Sequence, residues 1–148
     1  MSNYPSWWNT TITVYNKFTD PQTKVVMWYR TVIEGAFWKY VGEKIAVGRT
    51  TLETNNTICR VREDSRYLPK HEWLNMPNDE MKNYFTLAPG DIIVKDEVDD
   101  EIQEYVSGQR ATDLITKYKG LQGCMTIETS VDNTGGGKGM PHYHVRGI

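Results

Sequence analysis

The sequence has no long hydrophobic run, few cysteines and no recognisable targeting segment. Its longest uninterrupted apolar stretch is residues 25–29, far short of the ~20 residues that a bilayer-spanning helix needs, so we expect no membrane partner. No basic stretch followed by an apolar one precedes the first predicted strand, which predicts no secretion signal. Two cysteines, Cys59 and Cys124, cannot build a disulfide framework and are expected to be free thiols in a reducing cytosol.

Basic residues are not in excess either. The chain carries 17 Lys and Arg against 19 Asp and Glu, a net charge of −2. Proteins that bind nucleic acid by neutralising phosphates carry a basic excess. This balance therefore disfavours non-specific nucleic-acid binding, including a single-stranded module that would stack bases on its aromatic side chains.

The negative charge is concentrated in one segment. Residues 96–104 contain six acids and no Lys or Arg, which leaves 13 acids against 17 bases in the rest of the chain. Such runs are most often a solvated face, and the functional interpretation is a surface that repels DNA or docks a basic partner. The candidate residues are Asp96, Glu97, Asp99, Asp100, Glu101 and Glu104.

Alternating and β-branched segments predict a mainly β fold with one or two short helices and long loops. Turn signals recur about every ten residues, without βαβ alternation or internal repeats, which favours one antiparallel β-barrel or sandwich over residues 1–148. Residues 1–9 are expected to form an N-terminal arm, and residues 64–83 and 132–141 extended loops. The predicted strands are residues 10–15, 24–33, 37–41, 57–62, 91–95, 124–131 and 143–145, with a helix at 111–120.

Local signals refine this prediction. Asp20-Pro21-Gln22-Thr23 is typical of a hairpin loop, and Gly35 is expected to end a strand. Pro89-Gly90 fits the centre of a type II turn, which needs positive φ at the glycine. Thr112 is the expected N-cap of the helix, whose apolar stripe is Leu114, Ile115 and Tyr118. In the strand at 57–62, Thr57, Cys59 and Val61 are predicted to face the core.

The sequence contains no strong motif for a metal site, a phosphate-binding loop or a catalytic nucleophile. His142 and His144 would share one face of a strand, the spacing of a two-histidine metal site, with His71 or an acid as a third ligand. The Gly-rich segment around Lys138 lacks the hydroxyl and the first glycine of a phosphate loop, because Gly139 and Asp132 occupy those positions. No feature activates either cysteine as a nucleophile. We therefore expect no catalytic residues, no cofactor and no metal, with His142 and His144 as the weak metal candidates.

Large aromatic residues are abundant, with five Trp and nine Tyr. Trp7 and Trp8 near the N-terminus, and Trp73 in the polar segment at 64–83, are of the type enriched at interfaces. With Lys138 they are the candidate assembly contacts. The alternative is that a tryptophan plugs the end of its own barrel, and that Trp73 pins its loop to the body.

Several of these segments together resemble a family of small phage and prophage morphogenesis proteins from Gram-positive hosts. The residues concerned are Phe85-Thr86-Leu87 with Pro89-Gly90 and Asp91-Ile92-Ile93-Val94-Lys95, the acidic run, Asp113-Leu114-Ile115 with Lys117-Tyr118, and the closing Asp132-Asn133-Thr134 and Pro141-His142-Tyr143-His144-Val145. Trp28-Tyr29-Arg30-Thr31-Val32 and Phe37-Trp38 are similar too, so the resemblance covers most of the chain from about residue 10.

This resemblance implies a structural role at the siphophage neck. The expected function is that of a head-closure or stopper protein, a ring of six or twelve copies that retains packaged double-stranded DNA and provides the tail-docking surface. Its partners would be the portal or adaptor and the tail terminator, with DNA passing through the lumen without sequence-specific binding. The alternatives are another neck or tail ring, such as the tail terminator, and a small β-barrel metal-binding enzyme that uses His142 and His144.

Overall fold

A computed structural model describes residues 4–47, 50–103, 109–119, 123–135 and 140–148. Within these ranges the strands are β1 (Thr10–Thr19), β2 (Val26–Val47), β3 (Thr50–Arg62), β4 (Ile92–Lys95), β5 (Cys124–Asp132) and β6 (His142–Gly147). They pair antiparallel and close into a barrel in the order β1–β2–β3–β6–β5–β4. The predicted fold class, a mainly β antiparallel barrel with short helices, is confirmed.

The core inside the barrel follows from strict alternation along the strands. Ile12 and Val14 of β1 point inward and are fully buried, as are Cys59 and Val61 of β3. Thr57 is 4% exposed, so the predicted core face of β3 is confirmed. Successive residues of a strand point to opposite faces, which places these side chains on one side. Phe85 and Leu87, which precede β4, belong to the same interior cluster.

A second apolar layer covers part of the outer surface. The outward residues Tyr15 of β1, Ile92 and Val94 of β4 and Cys124 of β5 are buried. They are covered by Ile102 and by helix α2 (Ala111–Lys119), whose Leu114 is fully buried. The predicted apolar stripe of α2 is confirmed. Thr112 is inside the helix rather than its N-cap, and the Asp113 carboxylate accepts the backbone N–H of Arg110 at 3.0 Å.

The segment at 64–83 is more structured than predicted. It contains helix α1 (Lys70–Leu74) and a 3-10 turn at Met81–Asn83. Trp73 is 0% exposed, packs edge-on against Phe18 and Tyr29, and directs its indole N–H at the Met81 carbonyl oxygen. The indole therefore pins the segment to the barrel, which short local periodicity alone did not reveal.

Gly35 does not end a strand, contrary to the prediction. The predicted strands at 24–33 and 37–41 are one strand, β2, and Gly35 adopts φ +74° within it. The pairing of β1 with β2 shifts register between Thr10 and Ile12, opposite this part of β2. The Gly35 carbonyl accepts the Arg62 Nε–H at 2.7 Å, and a Cβ here would lie 2.6 Å from that nitrogen. A glycine thus bends the strand instead of ending it.

Both predicted turns are confirmed. The β1–β2 hairpin is closed by hydrogen bonds from Lys24 N to Asp20 O at 2.8 Å and from Asp20 N to Val25 O at 2.9 Å. The turn before β4 has Gly90 at φ +94°, with Asp91 N donating to Ala88 O at 3.0 Å.

The β2–β3 hairpin extends beyond the barrel. β1 pairs with β2 as far as Ala36, and β6 pairs with β3 only from Thr57 onward. Beyond these points, residues 41–47 of β2 pair with residues 50–56 of β3, and in the described residues neither range pairs with a further strand. We call residues 41–47 and 50–56 the hairpin arm.

The buried carboxylate of Asp91 joins β1 to the start of β4. Its two oxygens accept hydrogen bonds from Asn16 Nδ2 at 2.9 Å, Lys17 N at 3.0 Å and Ala88 N at 3.2 Å. The Asn16 side chain also donates to Thr86 O and accepts from Thr86 N. Burial nonetheless raises the pKa of Asp91, and these donors oppose that rise. Every partner is a donor, so the site fits a carboxylate.

Asp91→Asn is therefore expected to destabilise the fold although the two side chains have the same shape. Either orientation of the amide places its NH₂ against an N–H donor, and an unmatched buried polar group costs about 1–3 kcal/mol. Urea denaturation of the variant and of Asp79→Asn, an exposed acid, provides the measurement. Equal free energies of unfolding in both variants would contradict the role of Asp91.

Candidate functional site

The acidic segment lies across the outside of β1, and we call its described part, residues 96–103, the acidic strap. Asp96 N donates to Thr11 O, and the buried Thr13 hydroxyl donates to Asp96 O at 2.9 Å and accepts Val98 N–H at 3.1 Å. The Tyr15 hydroxyl donates to Asp100 O. The strap is thus held by outward side chains of β1, while the inward side chains of the same strand fill the barrel.

Two acids of the strap have cationic partners in the chain. The carboxylate of Asp100 accepts hydrogen bonds from Lys117 Nζ at 2.8 Å and the Tyr118 hydroxyl at 2.6 Å, and these partners lower its pKa. Asp99 is fully exposed and lies 3.5 Å from Arg30, whose Nε also donates to Val98 O at 2.7 Å. Asp96, Glu97 and Glu101 are exposed. Glu104 lies outside the described residues.

A groove separates the strap from β2. Its cavity measures about 420 Å³ and is lined by apolar and polar side chains, Glu101 among them. The Trp28 Nε1–H at its wall is buried without a hydrogen-bond partner. The other lining residues are Tyr15, Met27, Tyr29, Arg30, Ile102 and Gln103.

Basic residues collect on the outer surface of β3 and β6. Arg60 is directly opposite His144, Arg62 opposite His142, and Ile58 opposite Arg146. Ile58 is also opposite Lys39 of β2. We call this surface the basic face; it comprises Lys39, Arg60, Arg62, His142, His144 and Arg146.

The basic face is electrostatically one-sided at these register positions. The β5 residues opposite Arg146 and His144 are Thr129 and Val131, which carry no charge. Burial lowers the pKa of His144, and the positive charges of Arg60 and Arg146 lower it further. Both arginines are thus near enough to His144 to act on its charge.

The described part of the N-terminal arm, residues 4–9, packs beside the basic face. Trp8 is 1% exposed and stacks edge-on against His142 at 5.8 Å between ring centroids, and Arg62 donates to Trp8 O at 2.9 Å. Trp7 is 57% exposed and lies 5.4 Å from the ring of Phe37. The guanidinium carbon of Arg60 also lies over the Phe37 ring, 5.3 Å from its centroid.

The aromatic assembly candidates therefore separate into two groups. The indoles of Trp8 and Trp73 are buried within their own chain, which corrects the prediction that they present contact area to a partner. Trp7 retains an exposed indole, and its role as an assembly contact stays a prediction. Lys138 lies outside the described residues, as does the central part of the loop at 132–141.

His142 and His144 do share a face, with ring centroids 6.4 Å apart. Around His142, Nδ1 lies 2.8 Å from Met140 O and Nε2 lies 3.5 Å from Asn133 Nδ2. The described residues contain no group of three or more His, Cys, Asp or Glu arranged to hold a metal. Burial raises the pKa of Cys59 to about 12 and that of Cys124 to about 11, which keeps both as thiols.

Sequence patterns missed the basic face and Asp91. The alternation of Arg60 with Arg62, and of His142 with His144, places each pair on one side of its strand, but only the β3–β6 register brings the pairs together. Asp91 directly follows the Pro89-Gly90 turn, where a charged residue at the start of an apolar strand was a signal for a buried polar contact.

The chain matches a family model over residues 7–148, described as a family of unknown function, DUF6751. The protein belongs to this family. No curated protein and no solved structure matches the chain. Neither α-helix in the described part of the chain is long and apolar enough to cross a membrane.

The bonds of Thr13 to the strap can be tested with a matched pair of isosteric variants. Thr13→Val removes two hydrogen bonds and leaves Val98 N–H and Asp96 O without their partner, so we expect a loss of about 1–3 kcal/mol of stability. Thr31→Val is the control, because the Thr31 hydroxyl is buried without a hydrogen-bond partner and its removal is expected to be neutral or stabilising. Urea denaturation measures both.

Amide hydrogen exchange locates the effect. Thr13→Val is expected to speed exchange at Val98 N–H, while Thr31→Val leaves it unchanged. Equal stability and equal exchange in the two variants would show that the Thr13 hydroxyl does not hold the strap.

Proposed function

We propose that this protein is a structural ring component of a phage neck, a head-closure or stopper protein that retains packaged DNA and provides the surface on which the tail docks. The resemblance of its motifs to phage morphogenesis proteins supplies this context. The structural observation that carries the proposal is the hairpin arm, which continues β2 and β3 beyond the barrel.

An arm of this kind is suited to contacts between subunits. A two-stranded hairpin without a third strand or a packed face is only marginally stable in water, and its unpaired edges are templates for pairing with another chain. In the described residues, the barrel offers no third strand to the hairpin arm. A neighbouring subunit or an adjacent ring would supply that partner on assembly.

Mechanism in this proposal is assembly rather than covalent chemistry. The closed barrel is the body of the subunit, and surface elements would join it to its neighbours. Contacts between two different surfaces of identical subunits form a closed ring when the rotation between them closes. The acidic strap then lies either toward the DNA lumen, where it repels phosphates and lets the duplex slide, or toward a partner.

The mainly β fold also bears on the choice among neck proteins. The described helices α1 and α2 have five and nine residues, whereas small tail terminators are expected to be α/β. This favours the closure position over the terminator position.

Removing the gene from its phage tests the proposal directly. In electron micrographs of purified particles, we expect heads without tails, either filled with DNA or leaking it, and no density at the neck. The neck density should return when the wild-type gene is supplied in trans. Normal tailed particles without the gene would overturn the neck function.

Shortening the hairpin arm separates assembly from folding. Replacing residues 43–54 by Asn-Gly leaves the β2–β3 pairs Phe37↔Arg60 to Val41↔Asn56 in place, so we expect a folded barrel with near-wild-type far-ultraviolet circular dichroism. In complementation this variant is expected to give tailless heads, as the deletion does. Full complementation by the folded variant would show that the arm is not needed.

A further inference from the structure

The two charged surfaces of the molecule lie on opposite sides of the barrel. In the closed order β1–β2–β3–β6–β5–β4, β6 is three strands from β1 in either direction. The acidic strap covers β1, and the basic face lies on β3 and β6, with Lys39 on the part of β2 that pairs with β3. The subunit thus presents negative charge on one side and positive charge on the other.

The two sides also differ in how much of the outer barrel surface is covered. The strap and α2 bury the outward residues of β1, β4 and β5. On β3 and β6, by contrast, Arg146 is exposed and Arg60, His142 and His144 are half-buried. The Arg60 Nε is a buried donor with no hydrogen-bond partner, which leaves a cationic side chain with unused bonding capacity on this sheet face.

We propose that the basic face of one copy docks on the acidic strap of the next copy, and that this contact is the repeating joint of the ring. The occupant is a second copy of this chain, chosen by charge complementarity between Lys39, Arg60 and Arg146 on one side and Glu97, Asp99 and Glu101 on the other. This inference rests on the proposed ring function and specifies its subunit contact.

The geometry favours self-association over a DNA duplex as the occupant. Two different surfaces on opposite sides of one body form a heterologous contact, which gives a ring when the rotation between neighbouring copies closes. The exposed indole of Trp7 beside the basic face, and the 420 Å³ groove beside the strap, add an apolar element to each surface. A DNA site would use only the basic face and would leave the strap without a role in the contact.

Zero-length cross-linking tests this contact in the purified full chain. An equimolar mixture of ¹⁴N-labelled and ¹⁵N-labelled protein is treated with a carbodiimide at low ionic strength, and peptides are identified by mass spectrometry. We expect heavy–light cross-links between Lys39 Nζ and the carboxylates of Glu97, Asp99 or Glu101, which must join two molecules. Lys39→Arg, which keeps the charge but removes the amine, should abolish these cross-links without changing association measured by sedimentation velocity.

Charge reversal provides a second, independent measurement. Lys39→Glu with Arg146→Glu, or Glu97→Lys with Glu101→Lys, places like charges together and is expected to lower self-association about tenfold or more. All four substitutions in one chain, or a mixture of the two double variants, should restore it. Glu72→Lys with Asp79→Lys is the matched control, because these exposed acids belong to the α1 side of the barrel and should have no effect.

Three results would overturn the contact. The first is self-association that the reversals do not change, and the second is the absence of any heavy–light cross-link to Lys39 at the solubility limit. The third is a wild-type protein that does not self-associate but binds duplex DNA in a salt-dependent way, as measured by fluorescence anisotropy. Loss of this binding in the variant Lys39→Glu with Arg146→Glu would assign the basic face to DNA. Since these assays use purified protein, they are independent of the gene-deletion result, which tests the neck function itself.

Discussion

The pairing of β1 with β4 is the constraint on which the rest of the structure depends, because it closes the barrel between segments some eighty residues apart. Four register pairs, from Ile12↔Lys95 to Tyr15↔Ile92, make the seam. At the end of the seam next to Tyr15 and Ile92, the Asp91 carboxylate accepts hydrogen bonds from the side chain of Asn16 and the backbone N–H of Lys17. Non-local pairing of this kind is entropically costly, and buried polar bonds that are fully satisfied specify one register where apolar packing alone would tolerate a slip.

Closure at this seam gives β1 two packed faces. Its inward residues Ile12 and Val14 join the barrel interior, and its outward residues Thr13 and Tyr15 hold the acidic strap and contact the α2 layer. A strand buried on both faces cannot also present a surface to a partner. The less covered part of the barrel is the opposite side, and the sequence places cations there, so the asymmetry of the fold and the asymmetry of charge coincide.

Local patterns predicted those elements whose signals are contained in a few residues. Alternation identified the core face of β3, Pro89-Gly90 the type II turn, and the spacing of Leu114 and Tyr118 the buried side of α2. Prediction failed where distant residues decide the outcome. Gly35 resembles a strand end in isolation, but Arg62 supports the bend and lets β2 continue. Trp73 organises the segment at 64–83 by packing on Phe18 and Tyr29, contacts that no local pattern contains.

The acidic strap shows how the structure changes the meaning of a charge run. As a sequence it carries six acids and no base, which suggests a uniformly negative, solvated segment. In the fold, Asp100 is paired with Lys117 and Asp99 lies near Arg30, so part of its charge is neutralised by the surface that holds it. The exposed carboxylates of Asp96, Glu97 and Glu101 are then the principal source of its field. A segment whose backbone is fixed by Thr13, Tyr15 and Arg30 keeps those carboxylates in defined positions, whereas a flexible acidic loop would lose conformational entropy on docking. Preorganisation of this kind makes the strap better suited to a specific contact than to general repulsion of a passing polymer.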